Sequence, residues 1–397
     1  MQLAERMSKI KPSATFAISS RARELRAQGL EVINFSIGEP DFHTPEHVCQ
    51  AAIEAIRQGF TKYTPVGGIE ELKDAIIAEF EKYYGLSYER SQVIVSCGAK
   101  HSLYNLAQVL FNPGDQVIVP APYWVSYPDI VRLAGAEPVV VPTLEENDFK
   151  LTAAILEDHL TERCRGLILN SPSNPTGTVY SSEELAELAE VVLQHRLLVI
   201  SDDIYYRILF DGLNWNSLAM LDDELRQYTI VVNGVSKTYA MTGWRIGYLA
   251  APAEIAAAVN KIQGQNTSNP NSIAQKAALA ALTGPQEAVQ YMVDKYEQRR
   301  QLMLSLLEKI PGVRAFRPAG AFYVFVNCSA FYGRSFASDT IENSVDLASY
   351  LLEKAQIATV PGIAFGEDGY LRFSFATSVQ VIERGLELLS TALSQLH

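Results

Sequence analysis

Cysteine is scarce in this 397-residue chain, and the four that occur, Cys49, Cys97, Cys164 and Cys328, lie far apart, with neither a C-x-x-C pair nor the spacing of metal ligands. That pattern offers no disulfide framework and no structural zinc site, and it predicts free thiols in a reducing, cytoplasmic setting. Basic residues are in deficit as well: 33 Lys and Arg face 45 Asp and Glu, a formal charge of −12. A nucleic-acid or anionic-membrane partner would need a basic footprint that this balance does not provide, although a local basic pocket for a small anion stays open. Long apolar runs are missing, so no membrane span is expected. The first twenty residues mix Glu5, Arg6, Lys9 and Lys11 with short apolar pieces and lack the apolar core of a signal peptide. Two nucleotide signatures are absent too. No G-x-G-x-x-G follows an apolar run and no Gly-Lys pair occurs, which removes the dinucleotide fingerprint and the P-loop. His43 and His47 are four apart, but Thr44-Pro45 between them reads as a helix start that leaves His43 outside, so a metal pair is not expected.

What the chain has is length and ordinary globular composition, 48% hydrophobic, enough for a large core in two domains. Its centre of interest is Thr229 to Leu249. The apolar run Ile230-Val231-Val232 breaks at Asn233-Gly234, presents Ser236-Lys237-Thr238, and resumes at Ile246 after Arg245. A lysine just past a buried strand is poorly hydrated, so its neutral amine, the form that attacks a carbonyl, becomes accessible. Ser236 and Arg245 offer a hydroxyl and a guanidinium fork suited to a phosphate monoester.

Three apolar runs share one design. Gly166 to Leu169 ends in Asn170-Ser171-Pro172-Ser173-Asn174-Pro175-Thr176-Gly177, Leu197 to Ser201 ends in Asp202-Asp203-Ile204-Tyr205, and Ile230 to Val232 leads to Lys237. Helical patterns lie between them, the clearest at Ser182 to His195 with Ser181 or Ser182 as N-cap. Strand, helix, strand predicts a parallel sheet, whose ligands sit at the carboxyl ends of its strands, where all three polar sets fall. Asp202 is suited either to an N-cap or to holding a ring nitrogen protonated. Cys97-Gly98-Ala99-Lys100 opens a further helix whose free N–H groups suit a phosphate. Lys100 there is either solvated or offset by a nearby anion, because a cation in the first turn opposes the helix dipole. Gly38 follows the run Val32 to Phe35 and is either a turn glycine or a close approach to ligand. Tyr63 lies in a loop, and Trp124 follows the run Gln116 to Pro120, where a buried indole can stack on a planar ring. In Tyr370 to Ala376, Arg372 alternates with apolar Leu371 and Phe373, so it faces either solvent or a site.

Other helices are expected at Ile18–Gln28, Pro45–Gly59, Ile255–Ile262 (broken at Gln263-Gly264-Gln265-Asn266), Ser272–Leu282, Glu287–Glu308, Val345–Gln356 and Val379–Leu396, with a strand at Gly320–Val326 and a surface loop over Phe331–Asn343.

The motifs N-x-P-x-N-P-T-G, D-x-I-Y and S-K-T followed by G-W-R-I-G, in this order, together with G-E-P-D at Gly38, P-Y-W at Trp124 and L-R-F-S-F-A-T at Arg372, resemble fold-type I, class I aminotransferases. The resemblance spans nearly the whole chain and is nearest the subgroup with aspartate and prephenate aminotransferases. It implies an α/β fold: a large domain with a mainly parallel sheet flanked by helices (46–285), a smaller α+β domain (286–397), and an N-terminal arm with part of the small domain (1–45). It implies pyridoxal 5'-phosphate as cofactor, held by Lys237 as an internal aldimine. Asp202 would serve the ring nitrogen, Asn174 and Tyr205 the ring oxygen, and Trp124 would stack on the ring. Gly98, Ala99, Lys100, Ser236, Arg245 and the neighbouring subunit's Tyr63 would surround the cofactor in a homodimer. Gly38, Trp124, Asn174 and Arg372 would take the substrate α-carboxylate end, and Thr15 with Lys100 the distal carboxylate. No metal is implied. A same-fold enzyme with aromatic or alanine donors, or a β-lyase, would carry similar motifs. A regulator on this fold would add a DNA-binding domain, and no basic or helix-turn-helix extension precedes Thr15.

Overall fold

The computed structural model describes residues 3–10, 14–337 and 339–397; for residues 14–17 and 19 it describes the backbone alone. Its centre is a seven-stranded sheet made of β1 (Val93–Ser96), β2 (Gln116–Ala121), β3 (Glu137–Pro142), β4 (Cys164–Asn170), β5 (Leu198–Asp202), β6 (Thr229–Gly234) and β7 (Gly247–Ala250). The spatial order is β1-β7-β6-β5-β4-β2-β3. All pairs are parallel except those made by β7, which runs antiparallel between β1 and β6. Residues on both faces of β1 and β6 are buried throughout, as expected for parallel strands covered by helices on either side. That is why their sequences read as continuous apolar runs. In register, Asn170 of β4 pairs with Asp202 of β5, and Asp202 with Val232 of β6, so three adjacent strands end level and deliver their polar sequels to one crevice.

Helices cover the sheet. Ser182–His195 begins with a capping box: the Ser181 side chain accepts from the Glu184 amide while the Glu184 carboxylate accepts from Ser181 N–H, and Leu185, Leu188, Ala189 and Val192 are buried as their spacing predicts. Glu46–Arg57 starts after Pro45 and buries Val48, Ala52 and Ala55, but Ile56 is exposed. The helix Ala253–Asn266 corrects the expected break at Gly264 by running straight through it. Gln263 explains the continuation, because its fully buried amide donates to Val66 O and Val95 O, each at 2.8 Å, and accepts from Ser96 Oγ at 2.9 Å. Glu70–Tyr84 is a further long helix, with Leu72, Ile76 and Phe80 inside.

A second, antiparallel sheet takes Val360–Pro361, Tyr370–Ser374, Tyr323–Asn327 and Arg314–Phe316 in that order. The helices Ser344–Ala355 and Val379–Ser394 lie beside it, and Glu287–Leu307 packs against the latter. The expected loop at Phe331–Asn343 contains a small hairpin, pairing Ser335 with Thr340 and Phe336 with Asp339. The expected strand Val32–Phe35 shortens to Ile33–Asn34, parallel to Ile357–Ala358. The segment Ile33–Phe35 is thus stitched to the second sheet's surroundings: Phe35 O accepts from Ser374 N at 2.8 Å. Among the described residues no helix is long and apolar enough to cross a membrane.

Candidate active site

A cavity of about 600 Å³ opens at the carboxyl ends of β4, β5 and β6, with walls from both sheets. Gly38, Ala99, Lys100, Trp124, Asn174 and Asp202 line it on one side of the chain order, Tyr205, Ser236, Lys237, Arg245 and Arg372 on the other. Gly98 stands behind this wall. Tyr63 does not reach it and is 91% exposed. The Thr15 side chain lies outside the described residues, as do Lys11, Pro12 and Ser13 of the K-P-S-A-T segment.

Lys237 enters from the loop after β6 and donates through Nζ to Gly38 O at 2.5 Å, so the G-E-P-D glycine meets the reactive amine through its carbonyl. Burial brings the ammonium down to about 8, against the pull of Glu39 and with Arg372 and Arg245 pushing the same way. Asp202, at the tip of β5, accepts from Tyr127 Oη at 2.7 Å and from the Ile204 amide at 3.3 Å. Burial raises this carboxyl to about 6, and the Tyr127 hydroxyl, the Ile204 amide and Lys237 hold it back from rising further. The capping contact and the functional contact are therefore compatible: the backbone orients the carboxylate, and the cavity receives it. Asn170 ties the two strand ends together, its amide donating to Asp202 O at 2.7 Å while its Oδ1 accepts from Asn174 N at 2.9 Å.

Arg372 is 3% exposed, which removes the solvent-facing reading. Tyr370–Ser374 is flanked by strands on both edges and buried on both faces, so alternation does not lead to water. Nη1 donates to Asn174 Oδ1 at 3.0 Å and Nη2 to Ser36 O at 2.7 Å, while Nε is buried with no protein partner. The guanidinium stacks over the Tyr323 ring at 4.3 Å, and Tyr323 Oη lies 2.8 Å from Tyr205 Oη. Burial also raises the Tyr205 hydroxyl well above its ordinary value, so it stays a neutral donor.

Trp124 corrects the expectation of a buried indole. It is only partly buried, because one ring face borders the cavity and carries Lys100 Nζ at 4.6 Å from its centroid. Burial, reinforced by Arg245, lowers the Lys100 ammonium. Gly98 adopts φ +91°, and a Cβ there would fall 2.2 Å from Arg245 Nη2. Only glycine lets this guanidinium lie against the turn, where Nη1 is anchored on Thr242 O at 2.8 Å.

Three residues with contacts at the site were given no role of their own by the sequence reading. Tyr127 sits three places after Trp124 at a helix start, a position that spacing alone could have marked. Asn170 is the first residue of the N-x-P-x-N motif. Tyr323 hides in an aromatic strand, where nothing separates it from Phe322 and Phe325 without the fold.

The family model for aminotransferase class I and II matches residues 31–389. The chain belongs to this family. It is 48% identical over 388 residues to aspartate aminotransferase of Geobacillus stearothermophilus, covering 98% of each chain. It is 46% identical over 397 residues to the aspartate/prephenate aminotransferase of Nitrosomonas europaea, covering 99% of this chain and 100% of the other. Among solved structures, the aspartate aminotransferase of Rhizobium meliloti superposes with a TM-score of 0.97 at 43% identity, each chain covered in full. That of Thermus thermophilus with maleate gives 0.93 at 41%, covering 99% of this chain and 100% of the other. This aminotransferase fold is the α/β arrangement that the motifs implied, and its cofactor is pyridoxal phosphate. The residues present fit that group: a desolvated amine, a buried carboxylate with fixed orientation, an indole lining the cavity, and an Arg245–Gly98 cradle that a Cβ would fill.

Proposed function

We propose that this aminotransferase moves an amino group between aspartate or glutamate and a 2-oxo acid, 2-oxoglutarate or oxaloacetate, with prephenate among its acceptors, as a cytoplasmic homodimer. The observation that carries the substrate class is a pair of cations, the buried Arg372 and the more exposed Lys100, on the walls of the cavity that holds Lys237. The names of the relatives agree with it.

When bound, pyridoxal phosphate supplies an aldehyde for amine exchange and a ring that takes up electrons from the substrate carbon. Ser236, Arg245 and the amides at Gly98 and Ala99 hold its phosphate. Asp202, oriented by the Tyr127 hydroxyl and the Ile204 amide, would hold a proton on the ring nitrogen. Asn174 has its Oδ1 on Arg372, which leaves its Nδ2, with Tyr205 Oη, to donate to the ring oxygen. Arg372 meets the α-carboxylate with Nε and its remaining N–H groups, fixing the substrate so that its Cα–H faces Lys237 Nζ. Lys237, lowered to about 8, then acts as the amine that takes and returns that proton. Lys100, with Thr15, meets the distal carboxylate. Tyr63, exposed in one chain, reaches the partner's phosphate. The two sheets support a division into an arm (1–45), a large domain (46–285) and a small domain (286–397).

Single-turnover spectroscopy tests this reading. Aspartate and glutamate should bleach the visible absorbance of the holoenzyme much faster than tyrosine or alanine, and oxaloacetate or prephenate should restore it. Faster bleaching by tyrosine or alanine would contradict the substrate class, and release of ammonia without restoration would favour a lyase.

A further inference from the structure

The turn that faces the phosphate side of the cavity is held from behind by a single imidazole. Cys97 N–H donates to His101 Nδ1 at 3.1 Å. With Nδ1 accepting, the neutral ring carries its hydrogen on Nε2, which lies 3.3 Å from Asn266 Oδ1. Asn105 Nδ2, 3.2 Å from Nε2, is turned to Gln263 Oε1. His101 thereby links the turn Cys97-Gly98-Ala99 to the helix Ala253–Asn266, and the same turn touches Arg245 through Cys97 O.

We propose that His101 is a positioning residue for the phosphate cradle: its neutral imidazole fixes the Cys97–Ala99 turn against Arg245, and its protonation releases the turn, so that cofactor retention falls on acidification. This rests on the pyridoxal phosphate reading of the cavity. A protonated ring would present Nδ1–H to Cys97 N–H, two donors head to head, and the turn would lose its tether. The titratable and charged groups that share the adjoining groove with His101 are Lys100 and Tyr104 on its own helix, Cys97 on the turn, and Tyr123, Arg245 and the Asp129–Arg132 ion pair across it. Asp129 is the one acid among them and is paired with Arg132 at 2.8 Å. Burial holds the imidazole below its ordinary value while the Asn266 contact pulls it back. The neutral form therefore prevails at neutral pH, and the acceptor is lost on acidification.

The test is the dissociation constant for pyridoxal phosphate from about pH 7.5 to 5.5, in the wild type, His101→Gln and His101→Leu. Glutamine can accept from Cys97 N–H but does not titrate. The wild type should lose affinity more steeply than His101→Gln as pH falls, the difference growing toward roughly ten-fold, the value of one neutral hydrogen bond. Protonation of the cofactor phosphate is common to both proteins and cancels. His101→Leu should bind weakly at every pH; if it does not fold, the comparison with glutamine suffices. Parallel pH profiles for wild type and His101→Gln would overturn the role of His101 while leaving the cofactor site intact. Absence of cofactor binding in every protein at every pH would overturn both readings.

Discussion

Replacing Arg372 with lysine separates carboxylate recognition from everything else in the cavity. The guanidinium bonds Asn174 Oδ1 at 3.0 Å and Ser36 O at 2.7 Å and keeps a buried Nε without a protein partner. An ammonium is a point charge; it can satisfy one of these acceptors or a substrate oxygen, but it cannot present a planar fork to both. Truncating one side of a desolvated charge pair costs about 2–5 kcal/mol, so kcat/KM for aspartate should fall roughly 30- to 4,000-fold. The cofactor's visible absorbance should persist, because Lys237 and Asp202 are untouched. Single-turnover bleaching supplies the rate, and an amine without an α-carboxylate supplies the control, which should react equally with both proteins. A loss within about threefold for aspartate, or an equal loss for the carboxylate-free amine, would refute the assignment.

Gly98→Ala places a methyl 2.2 Å from Arg245 Nη2 at φ +91°, so the guanidinium must leave the cradle; the dissociation constant for pyridoxal phosphate, read by titrating apoprotein, should rise roughly 10- to 150-fold, the value of a hydrogen bond to a charged group. Asp202→Asn keeps an acceptor for Tyr127 Oη but removes the charge beside the ring nitrogen; kcat should fall roughly 10- to 150-fold by the same measure, with thermal stability close to that of the wild type. In apoprotein, with the Lys237 ammonium lowered to about 8, the neutral amine gains on its protonated form as pH rises through that value. Trapping of Lys237 by an added aldehyde and reductant should therefore accelerate between about pH 7 and 9, well below an ordinary lysine near 10.4.

The strand ends were legible because β4, β5 and β6 are buried on both faces and each run stops at a polar residue that the cavity needs. Helix Ser182–His195 announced itself through its Ser181–Glu184 capping box. Other features depend on contacts distant in sequence. Glu70–Tyr84 starts without a side-chain cap and carries a buried Glu79, which blurs its apolar stripe. Gln263 looks like a helix breaker's neighbour until its four partners are in place. Arg372 alternates with apolar residues as a solvent-facing arginine would, and only the second sheet's packing places it inside. Tyr323 differs from its aromatic neighbours by one hydroxyl, and its contact with Tyr205 spans 118 residues.

Borohydride reduction of the holoenzyme, followed by peptide mapping, tests the central claim most directly. The cofactor's mass should appear on Lys237 alone, and Lys237→Ala should lose both the label and amino-group transfer while still binding pyridoxal phosphate non-covalently. Label on another lysine, or a Lys237→Ala protein with undiminished turnover, would contradict the account.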